Sequence, residues 1–109
     1  MEPKFEILFM KEAEEFLEEM NEKARTKLLY NLKKAQLLND SSLFKKLNEY
    51  IWEFRSQTQG NQYRLFAFWD KEGETLIICT HGILKKSQKT PKKEIEKAEK
   101  LRSNYFKNK

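Results

Sequence analysis

The chain has 109 residues, enough for one domain with a single core, and its eight Phe, four Tyr and two Trp within a 39% apolar content exclude a disordered polyelectrolyte. Its formal net charge is +5, which favours an anionic partner. One cysteine excludes an intrachain disulfide, and no apolar run approaches the roughly 20 residues of a membrane helix, so we expect a cytoplasmic protein without a secretion signal or membrane span.

The first part of the chain predicts a strand followed by a helical hairpin. Residues 4–9 (KFEILF) alternate polar and apolar side chains, which indicates a short strand. A helix with an acidic outer face begins at Lys11, and Asn21 ends it and caps a second helix over residues 22–38. The expected inward stripe of the two helices comprises Ala13, Phe16, Leu17, Met20, Ala24, Leu28, Leu32 and Ala35.

The middle of the chain predicts three strands. After a connector containing Phe44 and Leu47, strands are expected at residues 50–56 (YIWEFRS), 62–70 (QYRLFAFWD) and 74–84 (ETLIICTHGIL). The separators Gln59-Gly60-Asn61 and Lys71-Glu72-Gly73 are short turns, which favours an antiparallel meander. The aromatic residues expected in the core are Trp52, Phe54, Phe66, Phe68 and Trp69.

The last part of the chain is a basic segment that ends in a helix. Residues 85–109 carry ten Lys or Arg against three Glu, whereas the other 84 residues carry twelve against fourteen acidic residues. Thr90 is expected to cap the helix and Pro91 to take its first position. The apolar stripe is Ile95, Ala98, Leu101 and Tyr105. The whole chain, residues 1–109, is thus expected to form one α+β domain with the order β-α-α-β-β-β-α.

Several kinds of chemistry are excluded or disfavoured. One histidine and one cysteine cannot form a zinc motif, and no glycine loop has a phosphate-cradling pattern. A dyad of Cys79 and His81, which would share a strand face, is disfavoured because a lone cysteine in LIIC is more often a core residue. Glu14 and Glu18 form a solvated face more often than a metal site. We therefore expect neither a metal nor a cofactor.

The positive signal is a set of cationic residues near one edge of the predicted sheet. Arg55 and Arg64 are expected to be neighbours across a hairpin, and alternation places Cys79, His81, Ile83 and Lys85 on one face, close to Lys86. Arginine binds phosphate in a bidentate way and lysine acts as a point charge. Tyr63 could stack on a base. The basic residues expected to contact RNA backbone are Lys89, Lys92, Lys93, Lys97 and Lys100.

Three segments, IWEFR, YRLFAF and LIICTHGILKKSQKTPKKEIEKAEK, resemble the HigB-like, phage-derived toxin family of the RelE/ParE superfamily of type II toxin–antitoxin systems. The resemblance extends over almost the whole chain and agrees with the predicted element order. It implies an mRNA interferase that cuts mRNA on translating ribosomes and is inhibited by a cognate helix-turn-helix antitoxin. By position, Arg55, Arg64 and Lys85 or Lys86 match the family's basic catalytic surface, with His81 as a further candidate.

The sequence departs from better-defined members of this superfamily, because it has no histidine on the second or third predicted strand and no tyrosine directly after the last strand. The proton-transfer group therefore stays open between His81 and a lysine with a lowered pKa. The expected reaction is metal-independent: the RNA 2′-OH is the nucleophile, and Arg55 and Arg64 hold the scissile phosphate.

Two other functions are open at this point. The fold is also compatible with a ParE-like toxin that poisons DNA gyrase through a protein interface. A non-enzymatic RNA-binding domain, with the basic segment coating phosphates, is the third possibility.

Overall fold

The computed structural model describes residues 2–70, 75–87 and 89–109. Within them it has three helices and five strands, one strand more than expected from the sequence, in an α+β fold. None of the described helices is both long and apolar enough to cross a membrane. The elements are β1 (Glu6–Phe9), α1 (Lys11–Glu19), α2 (Glu22–Leu37), β2 (Phe44–Lys46), β3 (Trp52–Thr58), β4 (Asn61–Trp69), β5 (Leu76–Lys85) and α3 (Lys92–Lys107).

The five strands form one mixed sheet in the order β1-β5-β4-β3-β2. The antiparallel meander predicted for the three long strands is confirmed as β3-β4-β5. β1 joins β5 in parallel, with Glu6 beside Leu76 and Phe9 beside Cys79. The sequence interpretation of residues 43–49 as a connector is wrong in part, because Phe44 stacks on Phe54 and their backbones pair, which creates β2.

The hairpin between β3 and β4 has a two-residue turn. Gln59 and Gly60 have positive φ values of 51° and 82°, as in the turns that match the twist of antiparallel strands, and Asn61 already belongs to β4. Because this turn is tight, it fixes the register in which Arg55 lies opposite Arg64. The other predicted turn, Lys71-Glu72-Gly73, and the predicted strand start at Glu74 lie outside the described residues.

Helices α1 and α2 cover one face of the sheet. Their predicted inward residues are buried, except Phe16, which is partly buried, and they pack on β-strand residues such as Leu65 and Ala67. As predicted, Asn21 caps α2: its Oδ1 accepts a hydrogen bond of 2.9 Å from the backbone N–H of Ala24. This first cluster forms most of the core and leaves the opposite face of the sheet to α3.

Helix α3 covers only part of the second face. Ala98 is buried against Phe66, Phe68 and Ile78, with Tyr105 partly buried beside them. The prediction that Thr90 caps α3 is wrong: Pro91 occupies the N-cap position, and Thr90 donates a 2.7 Å hydrogen bond to Glu53 on the sheet. The start of α3 is therefore attached to the sheet by a side chain.

A register shift between β4 and β5 changes which residues of β5 share a face. Leu65 pairs with Gly82 but Ala67 pairs with Cys79, so β5 has an extra residue in this interval. The predicted common face for Cys79 and His81 is therefore wrong. Cys79 lies in the first core cluster, whereas His81 stacks on Phe66 on the α3 side of the sheet.

Candidate functional site

A pair of arginines lies on the second face of the sheet, toward the β3–β4 hairpin turn, and the sequence predicts that the two are neighbours. Arg55 on β3 and Arg64 on β4 are direct cross-strand partners. Between them is the carboxylate of Glu53, whose Oε2 lies 3.4 Å from Arg55 Nε and 3.5 Å from Arg64 Nε. A side-chain period of two places Glu53 and Arg55 on the same face of β3. The two arginines therefore share the Glu53 carboxylate as an anionic neighbour.

The two arginines differ in accessibility. The side chain of Arg55 is 21% exposed, whereas that of Arg64 is 1% exposed. Arg64 donates hydrogen bonds of 3.1 Å to the backbone oxygen of Tyr63 and 3.3 Å to Oε1 of Gln62. Burial lowers the pKa of Arg64, and repulsion from Arg55 adds to this effect. Arg55 is thus the arginine that can meet a ligand directly, with Arg64 behind it.

Two lysines at the end of β5 extend this cationic surface. Lys85 is partly buried, and its pKa is lowered first by burial and then by the positive charge of Arg64, while Glu53 acts in the opposite direction. Lys86 is exposed and donates a hydrogen bond to Oδ1 of Asn61, at the hairpin turn. Lys85 pairs with Gln62, two residues before Arg64 on β4, so it lies near the arginine pair, as the sequence predicts.

A cleft of about 260 Å³ adjoins the two arginines at the β3 edge, beyond the end of β2. Asn31 of α2 connects the two walls of this cleft, because its Nδ2 donates a 3.0 Å hydrogen bond to the backbone oxygen of Arg55. The lining is polar apart from one leucine, so it offers hydrogen bonds and positive charge to a ligand. The cleft is lined by Asn31, Ser42, Leu43, Arg55, Ser56, Gln57, Gln62 and Arg64.

His81 lies in a separate, more enclosed position on the same side of the sheet. Its side chain is 4% exposed; Nε2 is 3.1 Å from Oε1 of Glu94 on α3, and Nδ1 is 2.9 Å from Oγ1 of Thr80. Burial lowers the pKa of His81, while the hydrogen bond with Glu94 acts in the opposite direction. These contacts attach α3 to the sheet.

The other sequence candidates have different positions. Tyr63 is 4% exposed and belongs to the first core cluster, so its ring offers no open surface for a base. Cys79 is fully buried, which raises the pKa of its thiol. Lys97 is half exposed and forms a 2.7 Å ion pair with Glu12 of α1. The other lysines predicted to contact RNA backbone, Lys89, Lys92, Lys93 and Lys100, are exposed.

Sequence reasoning missed Glu53 and Asn31. The signal for Glu53 was present, because a glutamate two positions before a functional arginine on a strand shares its face. Asn31 carried no such signal, since it lies in the middle of a helix. Within residues 2–70, 75–87 and 89–109, no group of three or more His, Cys, Asp or Glu is arranged to hold a metal ion.

The described residues form an α+β structure of three helices and a five-stranded mixed sheet, and the order of these elements matches a broadly RelE-like fold. The family model for phage-derived Gp49-like proteins matches residues 15–103, and the chain belongs to this family, which is a RelE/HigB-like toxin family. Membership implies a cognate antitoxin as partner. No curated protein matches the chain significantly.

Proposed function

We propose that this toxin is an mRNA interferase, a metal-independent endoribonuclease that cuts mRNA on translating ribosomes and is neutralised by a helix-turn-helix antitoxin in the cytoplasm. The observation that carries the proposal is the cross-strand pair of Arg55 and Arg64 with Lys85 beside it, next to an open polar cleft. Three cations on one face suit a phosphodiester that gains negative charge during cleavage.

The reaction needs an aligned phosphate, stabilisation of the added charge and two proton transfers. Arg55 is exposed enough to hold the scissile phosphate, and Arg64 adds positive potential from behind it. Lys85 is the proton-transfer group. Its lowered pKa favours the neutral amine, which can accept a proton, more than in an ordinary lysine. His81 is less suited to this role, since both ring nitrogens have partners in an enclosed position.

The basic residues outside this centre would bind RNA backbone. Lys86 lies beside Lys85 at the end of β5, and the exposed lysines of the following segment continue the positive surface. Such contacts position RNA without reading its sequence. Lys97 contributes less, because its charge is paired with Glu12.

The proposal is tested by inducing expression and mapping transcript ends with and without active translation. The wild-type chain should generate new 5′ ends within translated messages, and a translation block should remove them. Arg55→Gln should reduce cleavage by about 10²-fold or more, the usual effect of losing one donor to a developing anion. Lys23→Gln, which removes an exposed cation on α2, is the matched control and should cut normally.

Two outcomes contradict this function. Full cleavage by a folded Arg55→Gln variant would exclude the proposed site. Toxicity with intact transcripts and gyrase-dependent double-strand breaks would instead identify a ParE-like poison. In the presence of translating ribosomes, the purified chain should also leave uncut an mRNA in which the 2′-OH at the cleaved position has been replaced by hydrogen.

A further inference from the structure

Glu53 lies in the middle of the proposed cleavage site but is almost inaccessible to solvent. Its side chain is 2% exposed, and each carboxylate oxygen has a distinct set of partners. Oε2 faces the Nε atoms of Arg55 and Arg64, whereas Oε1 accepts the hydrogen bond from Thr90. An RNA phosphate or sugar cannot reach a carboxylate that is enclosed in this way, so any role of Glu53 acts through its neighbours.

The two neighbouring arginine side chains need an anion beside them to keep a single conformation. Like charges directly opposite each other on antiparallel strands repel, and Arg64 is buried, which increases the cost of an unpaired charge. A carboxylate at ion-pair distance from both Nε atoms offsets this repulsion. Removing its charge would restore the repulsion between the two guanidinium groups, of which that of Arg64 is also held by Tyr63 and Gln62.

The second oxygen of Glu53 connects the arginines to the basic segment. Thr90 directly precedes Pro91, the N-cap of α3, and lies between Lys89 and Lys92, two of the lysines that we assign to RNA binding. The distance of 2.7 Å is that of a strong hydrogen bond between a hydroxyl and a carboxylate. One buried side chain thus holds the two arginines and the entry to α3 at the same time.

We propose that Glu53 is the positioning residue of the cleavage site: it orients Arg55 and Arg64 for the phosphate and fixes the start of the basic C-terminal segment against them. This inference rests on the proposed ribonuclease function. It assigns to Glu53 an effect on turnover, through Arg55, and a smaller effect on RNA binding, through Thr90.

The test uses the purified full chain and two readouts, and cleavage is measured on mRNA bound to translating ribosomes. Nitrogen-15 NMR detects the Nε–H groups of arginine, and those of Arg55 and Arg64 should exchange slowly with solvent in the wild type. In Glu53→Gln, which keeps the size of the side chain and an acceptor for Thr90, both should exchange at least 10-fold faster. The kcat for RNA cleavage should fall by about 10- to 100-fold, with KM changed by less than about threefold, because an interaction realised mainly in the transition state is removed.

Two further variants separate the two halves of the proposal. Thr90→Val removes the hydroxyl while keeping the shape, so it should raise KM and leave the two arginine signals protected. Thr90→Ser should restore the wild-type KM. Glu49→Gln, the same change of charge at an exposed position, is the matched control and should alter neither readout.

The results separate this inference from the proposed function. Unchanged exchange and unchanged kcat in a folded Glu53→Gln variant would overturn the positioning role, and so would a loss of kcat with both arginine signals still protected, which would indicate direct catalysis. If the wild-type chain cuts no mRNA on translating ribosomes, the proposed function is wrong, and with it the role in turnover. The exchange rates of the arginine Nε–H groups then still test whether Glu53 orients Arg55 and Arg64.

Discussion

Residues of the same type have different roles in this protein because their burial differs. Arg55 and Arg64 are cross-strand partners, yet only Arg55 is open to a ligand. Lys85 differs in the same way from the exposed lysines that follow it, since burial and a neighbouring arginine lower its pKa. Sequence patterns place such residues near one another, but they do not show which one is accessible.

The stability of the fold should depend on the protonation of His81. Burial lowers its pKa in the folded state below the ordinary value of 6.5, and Lys97 adds to this effect, while Glu94 and Glu12 oppose it. The unfolded chain therefore binds the proton more readily, so the free energy of unfolding should fall as the pH decreases from about 7 through the window between 6.5 and the folded-state pKa.

Urea unfolding at several pH values between about 5 and 7.5 measures this effect. The free energy of unfolding of His81→Gln should fall less steeply over the same range, because glutamine does not titrate. Parallel curves for the two proteins would show that another group causes any pH dependence.

At the scale of elements, local patterns predicted most of the fold and failed where long-range pairing decides the structure. The helices, the Asn21 cap and the β3-β4-β5 meander follow from periodicity and turn residues. The three-residue strand β2 and the parallel pairing of β1 with β5 depend on partners far along the chain. The β5 irregularity was also missed, because nothing in alternating side chains marks an extra residue, and it separates His81 from Cys79.

Gly82 allows α1 to approach the irregular part of β5. A Cβ atom at this position would overlap the ring of Phe16 on α1, so Gly82→Ala should lower the free energy of unfolding by about 1–3 kcal/mol through overpacking. Urea denaturation measures the decrease. In a Phe16→Ala background the ring is absent, and Gly82→Ala should lower the free energy of unfolding by less. Equal costs in both backgrounds would exclude the overlap as the cause.

At the scale of the whole molecule, charge is separated along the chain and in space. Residues 85–109 carry a charge balance of +7, and their basic side chains lie at the end of β5 and along α3. The glutamates of α1, by contrast, form an exposed acidic surface. Lys97 and Glu12 join these two surfaces by an ion pair. Composition alone predicted a polyanionic partner, and the structure adds that the exposed lysines extend from the side of the sheet that carries the arginine pair.

Salt dependence tests the proposed contacts between the exposed lysines and RNA. Changing Lys92, Lys93 and Lys100 to Gln should make the logarithm of the binding constant for single-stranded RNA fall less steeply with the logarithm of salt concentration, by about 0.7 for each phosphate that the variant no longer neutralises. Fluorescence anisotropy with an RNA lacking the reactive 2′-OH measures binding without cleavage. The control triple variant, Lys23, Lys27 and Lys33 to Gln on α2, should keep the wild-type slope; an equal decrease would mean that net charge alone governs binding.

The parallel pairing of β1 with β5 makes completion of the sheet depend on residues that are far apart along the chain. Residues near the start of the chain must wait for Leu76 and its neighbours before the sheet is complete, and the hydrogen bond from Thr90 comes later still. Pairings between such distant residues close slowly. Under the proposed function, the arginine site would therefore be completed only after β5 and Thr90 have been synthesised.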